Sequence, residues 1–167
     1  MSNTMLRSIS FLAIILISFK GLSAQTENAN QVYFELLGAG GGFSLNFDSR
    51  FGDKENGLGY RLGIGGESSY SSSFGSSKAL AIPVGLNYLF GARKHHLELG
   101  AGATPFFGDK TYYPRTYWGT NFNAGYRLTP FNRKGFSFRA GYMQWIMFYS
   151  NETEFSPFFY VSFGYRF

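Results

Sequence analysis

Residues 159–167 read Phe-Tyr-Val-Ser-Phe-Gly-Tyr-Arg-Phe. Phe159, Val161, Phe163, Tyr165 and Phe167 share one parity, and Tyr160, Ser162, Gly164 and Arg166 the other. Successive side chains of a strand point to opposite faces. The stretch therefore predicts a strand with one apolar, aromatic face and one small, polar or charged face. The same period of two recurs upstream. Leu80, Ile82, Val84, Leu86, Tyr88 and Phe90 alternate with Ala81, Pro83, Gly85 and Asn87, and Trp118, Thr120, Phe122, Ala124, Tyr126 and Leu128 with Gly119, Asn121, Asn123, Gly125 and Arg127. Val32, Phe34 and Leu36 follow it, as do Phe43, Leu45 and Phe47; Leu58, Tyr60, Leu62 and Ile64; Leu97, Leu99 and Ala101; and Phe136, Phe138, Ala140 and Tyr142. That makes eight segments.

Composition says what such a pattern is for. The chain has 167 residues, 20 Phe and 12 Tyr, and is 20% aromatic, yet its mean hydropathy is only −0.12. Apolar residues this abundant without long apolar blocks are distributed by alternation. Outward apolar, inward polar and aromatic girdles at both interfaces is the pattern of a membrane β-barrel. The fold expected is all-β: a closed antiparallel transmembrane barrel of about eight strands.

The links between segments fit this expectation. Residues 32–51 as one strand would span about 66 Å at about 3.3 Å per residue, too long for a bilayer, so the glycine-rich residues 38–42 are expected to reverse the chain. Short polar links lie at 48–57, 91–95 and 129–135, and longer ones at 67–78, 107–116 and 148–156. Short periplasmic turns and longer extracellular loops alternate in this way, with both ends of the barrel domain in the periplasm. Two residues resist. Pro83 must forfeit a ladder donor or sit at a bulge. Gln144 falls on the apolar parity beyond Tyr142, which implies a bulge or a strand end.

Residues 1–24 read as a cleavable signal peptide, with Arg7 before an apolar run from Phe11 to Ile17 and Ala24 as a small residue at the cut. Leu22 is an imperfect residue for that site. Residues 25–167 then form one barrel domain. There is no Cys, which excludes disulfides, a thiol nucleophile and Cys-based metal sites. The formal charge of +5 falls to +3 without Arg7 and Lys20, and the basic residues form no run, so nucleic-acid binding is not expected.

The inward parity collects Glu35, Arg61, Glu98, Arg127, Arg139 and Arg166, whereas the outward parity of the eight segments carries no charge. An outward Arg or Lys at the bilayer midplane would cost about 2–4 kcal/mol. Glu35 and Glu98 invite an acid–base reading, but four Arg to two Glu favours a structural lumen network, because Arg binds carboxylates bidentately and does not act as an acid near neutrality. The expectation is that both Glu pair with some of the four Arg and help to close a narrow, side-chain-filled lumen.

Other motifs carry less. Gly63-Ile64-Gly65 and Gly100-Ala101-Gly102 continue strands instead of opening helices, so they are not dinucleotide loops. Residues 68–77, rich in Ser and Gly, read as a flexible exposed loop. His95 and His96 point to opposite faces if they lie on a strand, which argues against shared metal ligation and leaves a solvated basic turn. No metal or cofactor is expected.

The stretch Val161-Ser162-Phe163-Gly164-Tyr165-Arg166-Phe167 resembles the C-terminal recognition signal of Gram-negative outer-membrane proteins, with Phe163, Tyr165 and Phe167 as its aromatic positions. Residues 32–38, 86–91 and 97–102 are similar to small outer-membrane barrels of the OmpA-like or porin-like superfamily, most of them uncharacterised. The resemblance implies insertion in outer-membrane lipid, with the barrel-assembly machinery as a partner during biogenesis. It names no extracellular ligand. A non-enzymatic structural or surface-interaction role is the leading expectation, with a narrow channel or transporter for small solutes as the alternative. A lipid-modifying enzyme is the weakest, because its catalytic His would have to come from a periplasmic turn.

Overall fold

The computed structural model describes residues 30–52, 55–71, 75–108, 116–130, 134–148 and 153–167. The expected signal peptide, residues 1–24, lies outside them. The described chain is built of β1 (Gln31–Leu36), β2 (Phe43–Arg50), β3 (Gly57–Ser71), β4 (Gly75–Ala81), β5 (Val84–Ala92), β6 (His95–Gly108), β7 (Thr116–Leu128), β8 (Gly135–Phe148) and β9 (Thr153–Arg166). No helix among the described residues is long and apolar enough to cross a membrane.

β4 and β5 both pair with β3 and β6, in one register on either side of Ile82 and Pro83. They are halves of a single stave. Eight staves therefore follow one another around the ring, all antiparallel, and β9 closes on β1. From Tyr33 the partners run through Asn46, Gly63, Pro83, Thr104, Gly119, Met147 and Glu154, and Glu154 lies level with a point ten residues beyond Tyr33 on the line of β1. Such a stagger tilts the strands by about 35–45° to the barrel axis.

The parity expected from sequence is the parity found. Val32, Phe34, Leu45, Leu62, Leu86, Leu99, Phe122, Tyr142 and Phe163 stand exposed on the outside, and Glu35, Asn46, Arg61, Asn87, Glu98, Asn123, Arg139 and Ser162 are buried inside. Rings pair across strands at both ends of the outer face, Trp118 with Phe148 at one and Phe136 with Tyr165 at the other.

The two awkward residues are accommodated without bulges. Gly63 donates its N–H to the Pro83 carbonyl at 2.8 Å, and Pro83 has no N–H to return. One ladder bond is lost and the register is kept. Ile82 donates likewise to Pro105 at 3.1 Å, again with no return bond. Gln144 sits outward within an unbroken β8; its Oε1 accepts from the Tyr142 hydroxyl at 2.6 Å and its Nε2 donates to the Trp145 carbonyl at 3.0 Å.

The expected long links are shorter than the sequence suggested. Ser68, Ser69, Tyr70 and Ser71 pair with Lys78, Ser77, Ser76 and Gly75, so most of the Ser/Gly-rich segment is a hairpin extension rather than a loop; residues 72–74 lie outside the described residues. Cross-strand hydrogen bonding outweighs low β-propensity here. β6 and β8 likewise run on to Gly108 and Phe148.

One hairpin is shorter than the rest. β1 ends at Leu36, opposite Val161, and β2 begins at Phe43, opposite Gly66. Among the described residues, β9 above Val161 therefore has no strand on its β1 side. Phe167 donates to Asn30, so the odd-numbered positions of β9 turn their backbone groups towards β1. Pro157 is one of them, placed where no ladder bond is asked of it. The β1–β2 turn folds inwards: Ala39 is completely buried, and its carbonyl accepts from Thr104 Oγ1 on β6 at 2.8 Å. Glycine is required there. A Cβ on Gly38 would fall on the Glu35 carboxyl, and Gly41 has φ +84°.

Candidate functional site

The lumen holds two distinct fillings. Asp48 is the hub of the first. Its carboxylate accepts from Arg50 Nη2 at 2.6 Å, Asn87 Nδ2 at 2.6 Å, and Arg127 Nη1 and Nη2 at 3.0 and 3.1 Å. Arg127 also reaches Glu98, with Nε at 2.9 Å and Nη2 at 2.8 Å from Oε2. The other Glu98 oxygen takes Arg139 Nη2, and the Arg139 guanidinium lies 4.1 Å from the centre of the Tyr33 ring. Strand tilt makes this possible: it brings Arg127 of β7 level with Asp48 of β2 on the far side of the barrel. All these charges are buried, so each bond is made with little help from water. Removing one member of such a buried pair costs about 3–5 kcal/mol.

A second charged cluster closes the turn end. Glu55, in the β2–β3 turn, accepts from Arg166 Nη1 at 2.5 Å and Thr129 Oγ1 at 3.0 Å, with His96 Nε2 at 3.3 Å. Burial pushes the Glu55 carboxyl up, but the hydrogen bonds from His96 and Arg166 outweigh it and hold the group down at about 2. His96 Nδ1 lies 3.0 Å from Asn56 Oδ1.

At the hairpin end the filling is apolar. Ala39, Ala79, Ala81, Phe106, Tyr117, Met143, Trp145 and Tyr160 form one buried cluster. Phe106 stacks on Tyr117 with centroids 4.8 Å apart and meets Trp145 at 5.8 Å. Tyr117 turns its hydroxyl to Glu67 at 2.5 Å, which satisfies the polar end of an otherwise apolar group.

Each of the six charged residues taken as inward lies inside, but they do not form a single set. Glu98 binds Arg127 and Arg139. Arg166 instead meets Glu55, which sequence reasoning left in a linker. Arg61 donates to Asn121 Oδ1 at 2.7 Å and makes no ion pair among the described residues. Glu35 does not pair with an Arg there either; it accepts the Ala39 N–H at 2.8 Å and holds the inward turn. The pairing expected of Glu35 thus gives way to a backbone contact, because the turn reaches its carboxylate first.

Asp48, Arg50, Glu55 and His96 were missed. Asp48 continues the inward parity of Ser44 and Asn46, and that signal was present. His96 shares its parity with Glu98, which sends it inside while His95 stays exposed against Tyr126. The solvated histidine turn is therefore corrected for His96, which is 2% exposed and hydrogen-bonded on both ring nitrogens. Phe163, Tyr165 and Phe167 are exposed on the outer face. No group of three or more His, Cys, Asp or Glu able to hold a metal occurs among the described residues.

Comparison with models of known families finds no match, and no curated protein matches the chain.

Proposed function

We propose that this chain is an integral protein of the bacterial outer membrane, with a closed, side-chain-filled lumen and a structural or surface-interaction role. The observation that carries the reading is the separation of charge from the outer face. Between His95 at the turn end and Lys78 near the hairpin end, the outward positions of the described strands carry no charged residue, while five Arg and three acidic residues are buried inside. Water gives no reason for that separation; hydrocarbon does, at about 2–4 kcal/mol per Arg or Lys at the midplane. The exposed apolar surface runs around the whole barrel, far beyond the few hundred Å² a soluble monomer tolerates. Residues 1–24 supply export, and Phe163, Tyr165 and Phe167 offer the aromatic face that the barrel-assembly machinery would read. The turn end faces the periplasm and the hairpin end the exterior.

The interior favours a plug over a conduit. Arg127 and Arg139 bridge strands across its middle, and the β1–β2 turn fills its mouth. In planar bilayers the wild-type protein should show no steps above baseline. Thr104→Val, which releases the Ala39 carbonyl, should introduce brief openings. Regular wild-type steps would replace this reading with the channel alternative. Membrane placement is tested separately by impermeant labelling of Lys78→Cys and Lys134→Cys in whole cells. Only the first should react, and equal reaction of both would remove the membrane reading.

A further inference from the structure

The barrel wall is low at one place, and the gap has a chemistry of its own. Among the described residues, no strand flanks β9 above Val161 on its β1 side, and β3 beyond Gly66 pairs with β4 but with nothing from β2. The free edges of β9 and β3 therefore face each other across two short staves.

Phe158 shows where this gap leads. Its parity on β9 is that of Tyr160 and Ser162, each 1% exposed, so it belongs to the inner face. Yet Phe158 is 41% exposed. Its partner on β8, Met143, is 0% exposed, and Trp145, one inward position nearer the hairpin end, is 3% exposed. An opening at the mouth does not explain an exposure that spares both neighbours. Phe158 is reached from the side, where β1 is missing.

The margins of the side opening are apolar. Leu36 and Phe43 stand outward on its sill. Leu37 has the parity of Tyr33 and Glu35, which would send it inside, but its backbone is left-handed, with φ +56°, and it is 54% exposed. Non-glycine residues seldom adopt that conformation, and the Leu37 N–H, bonded to the Gly42 carbonyl at 2.9 Å, helps to hold it. Phe155, Phe159 and Val161 carry the outer apolar belt up the β9 side. The occupant must therefore come from whatever surrounds the barrel at this height. Pro157 lies in the middle of the free β9 edge and withholds a donor, which disfavours a further strand. An acyl chain asks for no ladder. The N–H groups of Phe155 and Phe159 face the gap without a strand partner, and the ester carbonyls at the head of such a chain can accept from them.

We infer that this side opening seats an acyl chain of a membrane lipid, which passes between β9 and the β1–β2 turn and lies against Phe158. The inference rests on the membrane reading and adds to it that lipid reaches a residue of the inner face. The chain supplies the apolar cover that the low wall does not give to the aromatic filling of the hairpin end.

Nitroxide labels test this cleanly, because the chain has no Cys. Phe158→Cys, Phe159→Cys and Ser162→Cys are labelled singly and refolded into phosphatidylcholine bilayers. Each is probed with oxygen, which concentrates in hydrocarbon, and with a water-soluble nickel chelate. Phe159 tests the membrane reading alone. It should be open to oxygen and closed to nickel, and nickel access there overturns that reading and this inference with it. With Phe159 behaving so, Phe158 should match it despite the opposite parity, and Ser162, behind the complete wall, should be shielded from both reagents. Phe158 shielded from both would mean a closed wall, and Phe158 open to nickel would mean water in the gap. Either result overturns the inference, and oxygen access at Ser162 equal to that at Phe158 overturns the placement. If a label prevents refolding, Phe158→Trp combined with Trp118→Phe and Trp145→Phe decides, with aromatic exchanged for aromatic throughout. Its emission should be quenched by lipid brominated along the chain and not by acrylamide. Quenching by acrylamide, or by neither, overturns the inference.

Discussion

Asp48 and Met143 are equally inaccessible inside the same barrel, and they are held by opposite means. Asp48 sits where the wall is complete on every side, so donors from β2, β5 and β7 converge on it. Met143 sits nearer the hairpin end, where the short β1–β2 hairpin leaves the wall low and the turn folds in as filler beside Phe106 and Trp145. Charge is concentrated where partners can surround it. Apolar packing is used where the wall is open and an unpaired charge would be left half-satisfied.

The contrast can be broken from either side. Asp48→Asn should have the largest effect, because it leaves Arg50 and Arg127 under-compensated. It should cost about 3–5 kcal/mol, reduced by any lumen water, as read from urea refolding in detergent. Glu35→Gln in the same titration should cost only about 1 kcal/mol, since Glu35 accepts one backbone hydrogen bond and has no Arg at ion-pair distance. Equal losses in the two variants would erase the distinction between the hub and the turn clasp.

Met143→Ala tests the apolar half. A buried Met truncated to Ala costs about 2–5 kcal/mol according to how far the cavity collapses. Thermal unfolding followed by heat-modifiability on a gel should show a lower midpoint, and raising salt should not alter the loss. A salt-dependent loss would mean that the two fillings are one coupled unit.

The smallest expected effect lies at the turn end. Glu55 is held at about 2 when folded, against an ordinary 4.5. The stability it contributes is therefore complete above about pH 4.5 and is lost as pH falls towards 2. Because the group is partly exposed, the slope should be shallow. Glu55→Gln should flatten the acid limb of a stability profile across that window and leave its shape near neutrality unchanged. An acid limb identical to wild type would remove Glu55 from the closure of that end.

Strand faces were legible from the sequence because a period of two is a local property, readable from Phe159, Val161 and Phe163 without any partner. The stagger is not local, and parity gives no height along the axis. For that reason Glu35 and Glu98 looked equivalent, although one clasps a turn and the other binds two guanidiniums. Asp48 was legible by parity but was passed over at the edge of a presumed link. Nothing in Gly38, Ala39 or Gly40 indicates whether that turn leaves the barrel or enters it. Its inward course is held by Glu35 and by Thr104, the latter 65 positions away in sequence.

The seam between β1 and β9 has a consequence for how the molecule comes into being. Every other neighbouring pair of staves is adjacent in sequence and can zip as a hairpin, with a small loop to close. The seam joins Gln31 to Arg166, so it is by far the most distant pairing in the sheet and the one with the largest loop to close. Before it does, the meander has two raw edges, each able to pair with another chain. The hub spans the future seam as well: Arg127 on one flank takes Gln31 and Asp48 from the other. Until the ring shuts, Arg127 lacks Gln31 and Asp48, while Asp48 already has Arg50 on its own strand and Glu98 has Arg127 and Arg139 on the staves that follow it, so closure completes the neutralisation of the hub.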